Sequence, residues 1–399
     1  MHEQIKAITE KITPRLIEIR RHIHAHPELS GQEYQTAAYV AGVMSSCGFH
    51  VQEMVGKTGV VANLEGTGDI GEVLAVRTDM DALPILERVD LPFTSKNRGI
   101  MHACGHDVHT TVGLGTAMVL AELTEQQTLF PGTTRFLFQP AEETAQGAKW
   151  MIGDNVLEDV TAIFGVHVLP SILAGKVGLR RGALTAASDD IEIVIIGESG
   201  HGARPHQTVD AIWVAAQVMT TLQQSLSRHI NPLHPAVITI GKISGGKAAN
   251  VVADRVVMQG TVRSLQPDVY KKLPQWIEDI VAGVCNIHGA NYEIKYQRLV
   301  NSVVNAESLV QIVAGAAQSA LGESRVQWLP EPSTGAEDFA LYTEKVPGNM
   351  FRLGVGFKDR HNYPLHHPKF EVNEEAISTG VLTMATSIYD YWQQIGTSN

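Results

Sequence analysis

Residues 101–109 read Met101-His102-Ala103-Cys104-Gly105-His106-Asp107-Val108-His109. One thiol, three imidazoles and a carboxylate fall within eight residues, around a glycine that lets the backbone turn tightly. The whole chain of 399 residues has only three cysteines, so this density is unlike chance. Thiolate, imidazole and carboxylate are the donors that zinc-like ions take. The stretch therefore reads as half of a metal site. The other half is expected from Gln139-Pro140-Ala141-Glu142-Glu143, Gly165-Val166-His167 and Leu365-His366-His367-Pro368.

The surrounding sequence says how such distant points can meet. Residues 108–125 have the pattern of a helix packed on a sheet, and Val73-Leu74-Ala75-Val76 is a short apolar run of the kind buried on both faces of a sheet. It leads at once into Arg77-Thr78-Asp79-Met80-Asp81. Residues 134–138 read as a strand running into Gln139, 161–166 as a strand ending at His167, and 351–355 as a strand before the loop with His366. Apolar positions at helical spacing (Ile5, Ile8, Ile12, Leu16, Ile19, Ile23) predict a helix over 3–24. Further helices are expected over 32–47 and 374–392. Strands alternating with helices predict an α/β fold, its mostly parallel sheet sandwiched by helices. The polar residues repeatedly follow a strand, and ligand sites in such sheets lie beyond the strands' carboxyl ends.

Residues 183–299 follow another rule. Strands at 190–196, 236–243, 254–264 and 291–297, with helices at 208–228 and 267–288, give the order β-α-β-β-α-β of a ferredoxin-like unit. This predicts a small α+β domain inserted into a discontinuous catalytic domain made of 1–182 and 300–399.

Composition excludes several classes. With 44% hydrophobic and 18% charged residues the chain is an ordinary globular protein. A net charge of −11 leaves no basic stripe for nucleic acid. No apolar run approaches the ~20 residues of a membrane helix. Cys47, Cys104 and Cys285 have no paired spacing, and the N-terminal residues lack the apolar core of a signal peptide, so a cytoplasmic location is expected.

The collected metal candidates are Cys104, His106, Glu143, His167 and His366. Five ligands exceed one catalytic zinc and suit two ions with room for substrate. In the Glu142-Glu143 pair, one carboxylate can coordinate while the other moves protons. Asp79 can orient a ligating imidazole from behind. Singly, each residue has a plainer reading: a Glu-Glu pair as a solvated face, a His after a strand as a core residue, Cys104 as a small buried hydrophobe. Together, at successive strand ends, they favour the metal. A closed structural site would need no spare carboxylate. A cysteine nucleophile at Cys104 would leave an alkylatable thiolate in the metal-loaded protein.

As a set, several motifs carry a resemblance that spans nearly the whole chain. They are Arg-Arg-His-Ile-His-Ala-His-Pro-Glu-Leu at 20–29, Arg-Thr-Asp-Met-Asp-Ala-Leu-Pro at 77–84, His-Ala-Cys-Gly-His-Asp at 102–107, Gln-Pro-Ala-Glu-Glu at 139–143, Gly-His-Gly-Ala-Arg-Pro-His at 200–206 and Gly-Ala-Glu-Asp-Phe at 335–339. The chain resembles the metal-dependent aminoacylase/carboxypeptidase family. The branch is that of hippurate hydrolases, bacterial N-acyl-amino-acid amidohydrolases and plant indole-acetyl-amino-acid hydrolases. The resemblance implies a dinuclear centre and a lid domain that dimerises, making a homodimer or higher homo-oligomer. It implies Cys104, bridging, with His106, Glu143, His167 and His366 as ligands, and Glu142 as general base and acid. His366 is preferred to His367 because the family's ligand precedes an x-Pro pair. In the lid, His201 would stabilise the oxyanion, and Asn250 and Arg263 would bind the substrate carboxylate. Many members have His-x-Asp where this chain has Arg77-Thr78-Asp79, so one family ligand is missing. The implied metals are zinc or manganese, with cobalt or nickel as alternatives. The implied substrate is a small N-acyl-L-amino acid; a dipeptidase or carboxypeptidase with the same centre is the alternative.

Overall fold

The apolar run that begins at Val73 is a strand, Val73–Asp79, with every residue buried. In the computed structural model, which describes residues 1–68, 71–128, 130–231, 233–234 and 236–396, it lies inside an eight-stranded sheet. The sheet order is His50–Val55, Gly59–Leu64, Thr133–Gln139, Val73–Asp79, Val160–Leu173, Gly348–Gly356, Val177–Leu179, Val326–Trp328. The four strands at its centre, from Thr133–Gln139 to Gly348–Gly356, are mutually parallel, as expected. Towards both edges antiparallel pairs appear.

Register explains why distant motifs converge. Asp79 pairs with Gln139, and Arg77 with Gly165, so two chains leave the sheet together while His167 sits two residues past the last rung. One expectation is corrected here. The strand bearing His167 does not stop there but runs to Leu173, because it stays paired with Gly348–Gly356 after its other neighbour has ended.

Helices His2–Ala25, His106–Glu125, Glu307–Leu321 and Glu375–Gly396 pack on one another. Leu16, Val112, Phe136, Val381 and Trp392 are fully buried in their shared core. Each such side chain contributes roughly 1.5–3 kcal/mol of burial. The helix after the Cys-His stretch starts at His106, two residues earlier than its apolar pattern implies, and the second helix spans Tyr34–Ser46.

Contacts divide the chain into two units: Met1–Leu184, Val304–Glu331 and Asp338–Asn399, and Thr185–Val303 with Pro332–Glu337. Both divisions fall a few residues later than 182 and 300, after Leu184 and Val303, and Gly182–Ala183, paired with Val304–Asn305, stays with the first unit. The second unit has a four-stranded antiparallel sheet, ordered Ala236–Gly245, Arg255–Ser264, Ala187–Ile196, Asn291–Val300. Helices Ala211–His229 and Pro267–His288 cover it, and its own core includes Ile193, Val218, Met258 and Ile277. Asp210 caps the first of these helices, accepting from the N–H groups of Ile212 and Trp213. Among the described residues no helix is long and apolar enough to cross a membrane.

Candidate metal centre

The backbone before His106 turns at Gly105, whose φ is +85°. A side chain there would also meet Val168 Cγ2 at 2.5 Å, so both the turn and the close approach require glycine. This places Cys104 and His106 against His167 on the neighbouring strand. Cys104 Sγ is 3.6 Å from Nε2 of His167. The other ring nitrogen of His167 donates to the carbonyl of Val168 at 2.8 Å, which turns Nε2 to the thiol.

Glu142 and Glu143 leave the sheet through a tight turn. Ala141 holds φ +50°, and its N–H donates to Glu33 at 2.9 Å. Gly147 closes the turn; a Cβ there would lie 1.6 Å from the carbonyl oxygen of Pro140. His366, at φ +64°, comes in from the loop after Gly348–Gly356, its N–H donating to Ala103 O at 2.8 Å. Its Nε2 lies 3.4 Å from Glu143 Oε1. His367 points elsewhere, stacked on Tyr363 with ring centroids 4.5 Å apart.

Ligand atoms gather in overlapping groups, each within 4.8 Å: Cys104 with His106 and His167, Cys104 with Glu143 and His366, and His106 with Glu142 and Glu143. Cys104 belongs to the first two, the position of a shared donor. Nε2 of His106 and Oε1 of Glu143 are buried without a hydrogen-bond partner. These atoms face the Cys104 sulfur, and a cation that displaced the thiol proton would satisfy all of them. Burial, and then Glu143, push the Cys104 thiol well up, and burial with His109 and Arg352 pushes His167 well down. His167 is thus neutral with its lone pair available, and loading the thiol must release a proton.

Asp79, His106 and His109 form another such group, but its atoms are already occupied. His109 Nδ1 donates to Asp79 Oδ1 at 2.6 Å, and His109 Nε2 accepts the Val168 N–H at 2.8 Å. The other oxygen of Asp79 accepts from Arg77 at 2.7 Å. Burial would raise Asp79; His106, His109 and Arg77 outweigh it and hold the carboxyl well below its usual range. Asp79 was expected to orient a ligand, yet it lies 3.9 Å from His106 Nδ1 and bonds His109 instead. Arg77 also donates to Gln139 at 2.8 Å and Asp338 at 2.7 Å.

The model of peptidase family M20/M25/M40 matches residues 75–390. The chain belongs to this family. It is 62% identical to "Probable hydrolase sll0100" of Synechocystis sp., covering 98% of this chain and 99% of that one. It is 43% identical to an N-acyl-L-amino acid amidohydrolase of Geobacillus stearothermophilus, over 76% of this chain and 81% of that protein. Among solved structures, the YXEP protein of Bacillus subtilis, a dinuclear metal-binding peptidase of family M20, superposes with a TM-score of 0.84. That similarity covers 96% of this chain and 99% of that one at 36% identity. The chain is a hydrolase of family M20, and two divalent metals accord with its donor groups.

Other expected positions lie in the second unit. His201 and Asn250 are neighbours and exposed: Val251 pairs with His201, and the Gly202 N–H donates to Asn250 O at 2.9 Å. Arg263 is half-buried on Arg255–Ser264, between Val237 and Ser188, away from that ribbon. Sequence reasoning gave no separate role to Asp81, Glu33 or His109, which hydrogen-bond around this M20 site. Only the alternation Asp79-x-Asp81 at a strand end hinted at one of them. The motif at 20–29 is structural: Arg20 and His24 reach Asp107 at 2.7 and 2.8 Å, beside the ligand cluster.

Proposed function

We propose that this enzyme hydrolyses the amide of N-acyl-L-amino acids, giving a carboxylic acid and a free amino acid. The observation that carries the reading is a spare carboxylate, Glu142, beside the candidate ligand Glu143 and 3.9 Å from Nε2 of His106. A site that only held metal would not need it. Cys104, His106, Glu143, His167 and His366 would hold two cations. When bound, the cations supply positive charge that polarises the scissile carbonyl and acidifies water.

Glu142 would take the proton from the attacking water as its oxygen adds to the carbonyl carbon. It would then pass that proton to the leaving nitrogen as the C–N bond breaks. His201 would donate to the developing oxyanion, and Asn250 and Arg263 would hold the amino acid's carboxylate. These three roles rest on the motif resemblance. The thiolate favours zinc, with manganese, cobalt or nickel as working alternatives. Cys47, Cys104 and Cys285 are free thiols, which supports a reducing, cytoplasmic setting. The strand Ala236–Gly245 is a sheet edge, with Val237 and Ile243 about half exposed. It supports a homodimer through the second unit.

The test is a panel of acetyl-, benzoyl-, indole-acetyl- and aminoacyl-amino acids with each metal, with and without chelator. Chelator-sensitive release of amino acid from the acyl members is expected. Release from aminoacyl members alone would instead mark a dipeptidase, and chelator-insensitive turnover would sink the metal reading.

A further inference from the structure

The segments 88–90 and 357–371 bound a cavity of about 360 Å³ that the chemistry above does not use, and none of the candidate metal ligands lines it. Its walls are held by the protein itself. The Arg88 N–H donates to the carbonyl of Pro368 at 2.8 Å, which joins the two segments. Asn362 braces one wall, accepting from the Phe357 N–H at 2.8 Å and donating to the Phe357 carbonyl at 3.0 Å. Glu371 accepts from Arg360, whose guanidinium lies over the Phe357 ring, 3.4 Å from its centroid. Tyr363 is stacked on His367 and meets His361 edge-on, with centroids 4.5 and 4.6 Å away. Two aromatic rings, and the guanidinium that covers one of them, are thus in place before any ligand arrives.

Charge narrows what such a cavity can take. Arg88, Arg360 and Lys369 line it together with Asp90 and Glu371, which leaves one positive charge over. Glu371 is already engaged by Arg360, while among the described residues neither Arg88 nor Lys369 has a carboxylate partner. The Lys369 ammonium lies 5.8 Å from the Tyr363 ring centroid, within cation–π reach. A single anionic group would therefore meet Arg88 and Lys369, and a flat apolar body would meet Tyr363 and the Arg360–Phe357 stack. The volume falls in the range of about 300–1,000 Å³ that suits small ligands.

We propose that this cavity is a second binding site of the enzyme and that its ligand is an aromatic monocarboxylate. The proposal uses neither the substrate nor the catalytic roles assigned above.

The test titrates the metal-loaded native enzyme with para-fluorobenzoate, followed by fluorine NMR. A Kd of about 1 mM or tighter is expected for a ligand of this size. Para-fluorobenzamide has the same shape without the charge and should bind at least about tenfold more weakly. Equimolar inorganic phosphate should not displace the benzoate. Binding at the metal centre is separated by the double variant Arg88→Met, Lys369→Met. It should lose one bound equivalent of fluorobenzoate per chain, the affinity there falling at least about tenfold. Its zinc content and thermal unfolding should match the native enzyme. Unchanged binding in the variant would leave the metal centre as the binding site and overturn the proposal. Benzamide binding equal to that of benzoate, or displacement by phosphate, would overturn the ligand class. If the double variant does not fold, Lys369→Glu, a single exposed position, should show the same loss, and native binding there overturns the proposal. An enzyme that cleaves no acyl amino acid would refute the substrate reading instead, and the binding result would stand by itself.

Discussion

Arg77 and Cys104 each centre a buried polar cluster near the end of the strand Val73–Asp79. Around Arg77, donors and acceptors match. The guanidinium meets Asp79, Gln139 and Asp338, Gln139 meets Asp338 again, and Asp79 meets His109. Around Cys104 they do not match, since His106 Nε2 and Glu143 Oε1 have no partner. An unmatched buried polar group costs about 1–3 kcal/mol, so such a cluster is not kept for stability. The difference separates structure from function among residues of the same types. His109 carries the same imidazole as His106, yet both its nitrogens are engaged by protein.

The sharpest way to break the comparison is Glu142→Gln. If the unmatched cluster is catalytic, turnover should fall about 10²- to 10⁴-fold, the range for a lost general acid–base. Metal content by elemental analysis should be unchanged; near-normal turnover would mean that another group moves the proton. Arg77→Met attacks the matched cluster. Breaking one side of a buried ion pair costs about 3–5 kcal/mol, which chemical denaturation of the metal-free protein should register. Native stability in this variant would erase the distinction between the clusters.

Arg20→Met probes, by pH, the buried ion pair that Arg20 makes with Asp107. Burial would raise Asp107, but Arg20 and His24 overcome it and hold the carboxyl far below its usual range. A depressed folded pKa contributes stability above the unfolded value of about 3.9, lost as pH falls below it. The variant should therefore be about 3 kcal/mol less stable at neutral pH, with the gap closing below about pH 4. A gap constant with pH would show that lost packing, not charge, sets it. The smallest effect is expected at His367, whose ring stacks on Tyr363. His367→Ala should bind zinc like the native protein and lose no more than about 0.5 kcal/mol of stability. His366→Ala should lose at least about tenfold in zinc affinity. The reverse result would exchange the two histidines.

Much was readable from residue types. Continuous apolar runs announced the buried central strands, and the β-α-β-β-α-β order of the second unit followed from alternation and helical spacing. That Cys104, His106, Glu142, Glu143, His167 and His366 would converge was expected from chemistry and position near strand ends, and their ligand atoms do gather in the structure. The extension of the strand past His167 was not readable. Whether pairing continues there depends on Gly348–Gly356, a partner nearly 200 residues away in sequence.

The chemistry of this protein was determined by its sequence alone, because side-chain type decides what can bind a cation or carry a proton. Which imidazole is available, and which carboxylate orients it, was decided only by tertiary structure. His102, His106 and His109 are equivalent in spacing arguments, yet His109 is consumed by Asp79 and Val168, while His102, buried and neutral, belongs to none of the groups of converging ligand atoms. Asp79 and Asp81 look interchangeable in the motif, but the register aims one at His109 and the other at His106. A hydrogen bond depends on direction as well as identity, and direction comes from how strands, turns and helix ends are set against one another.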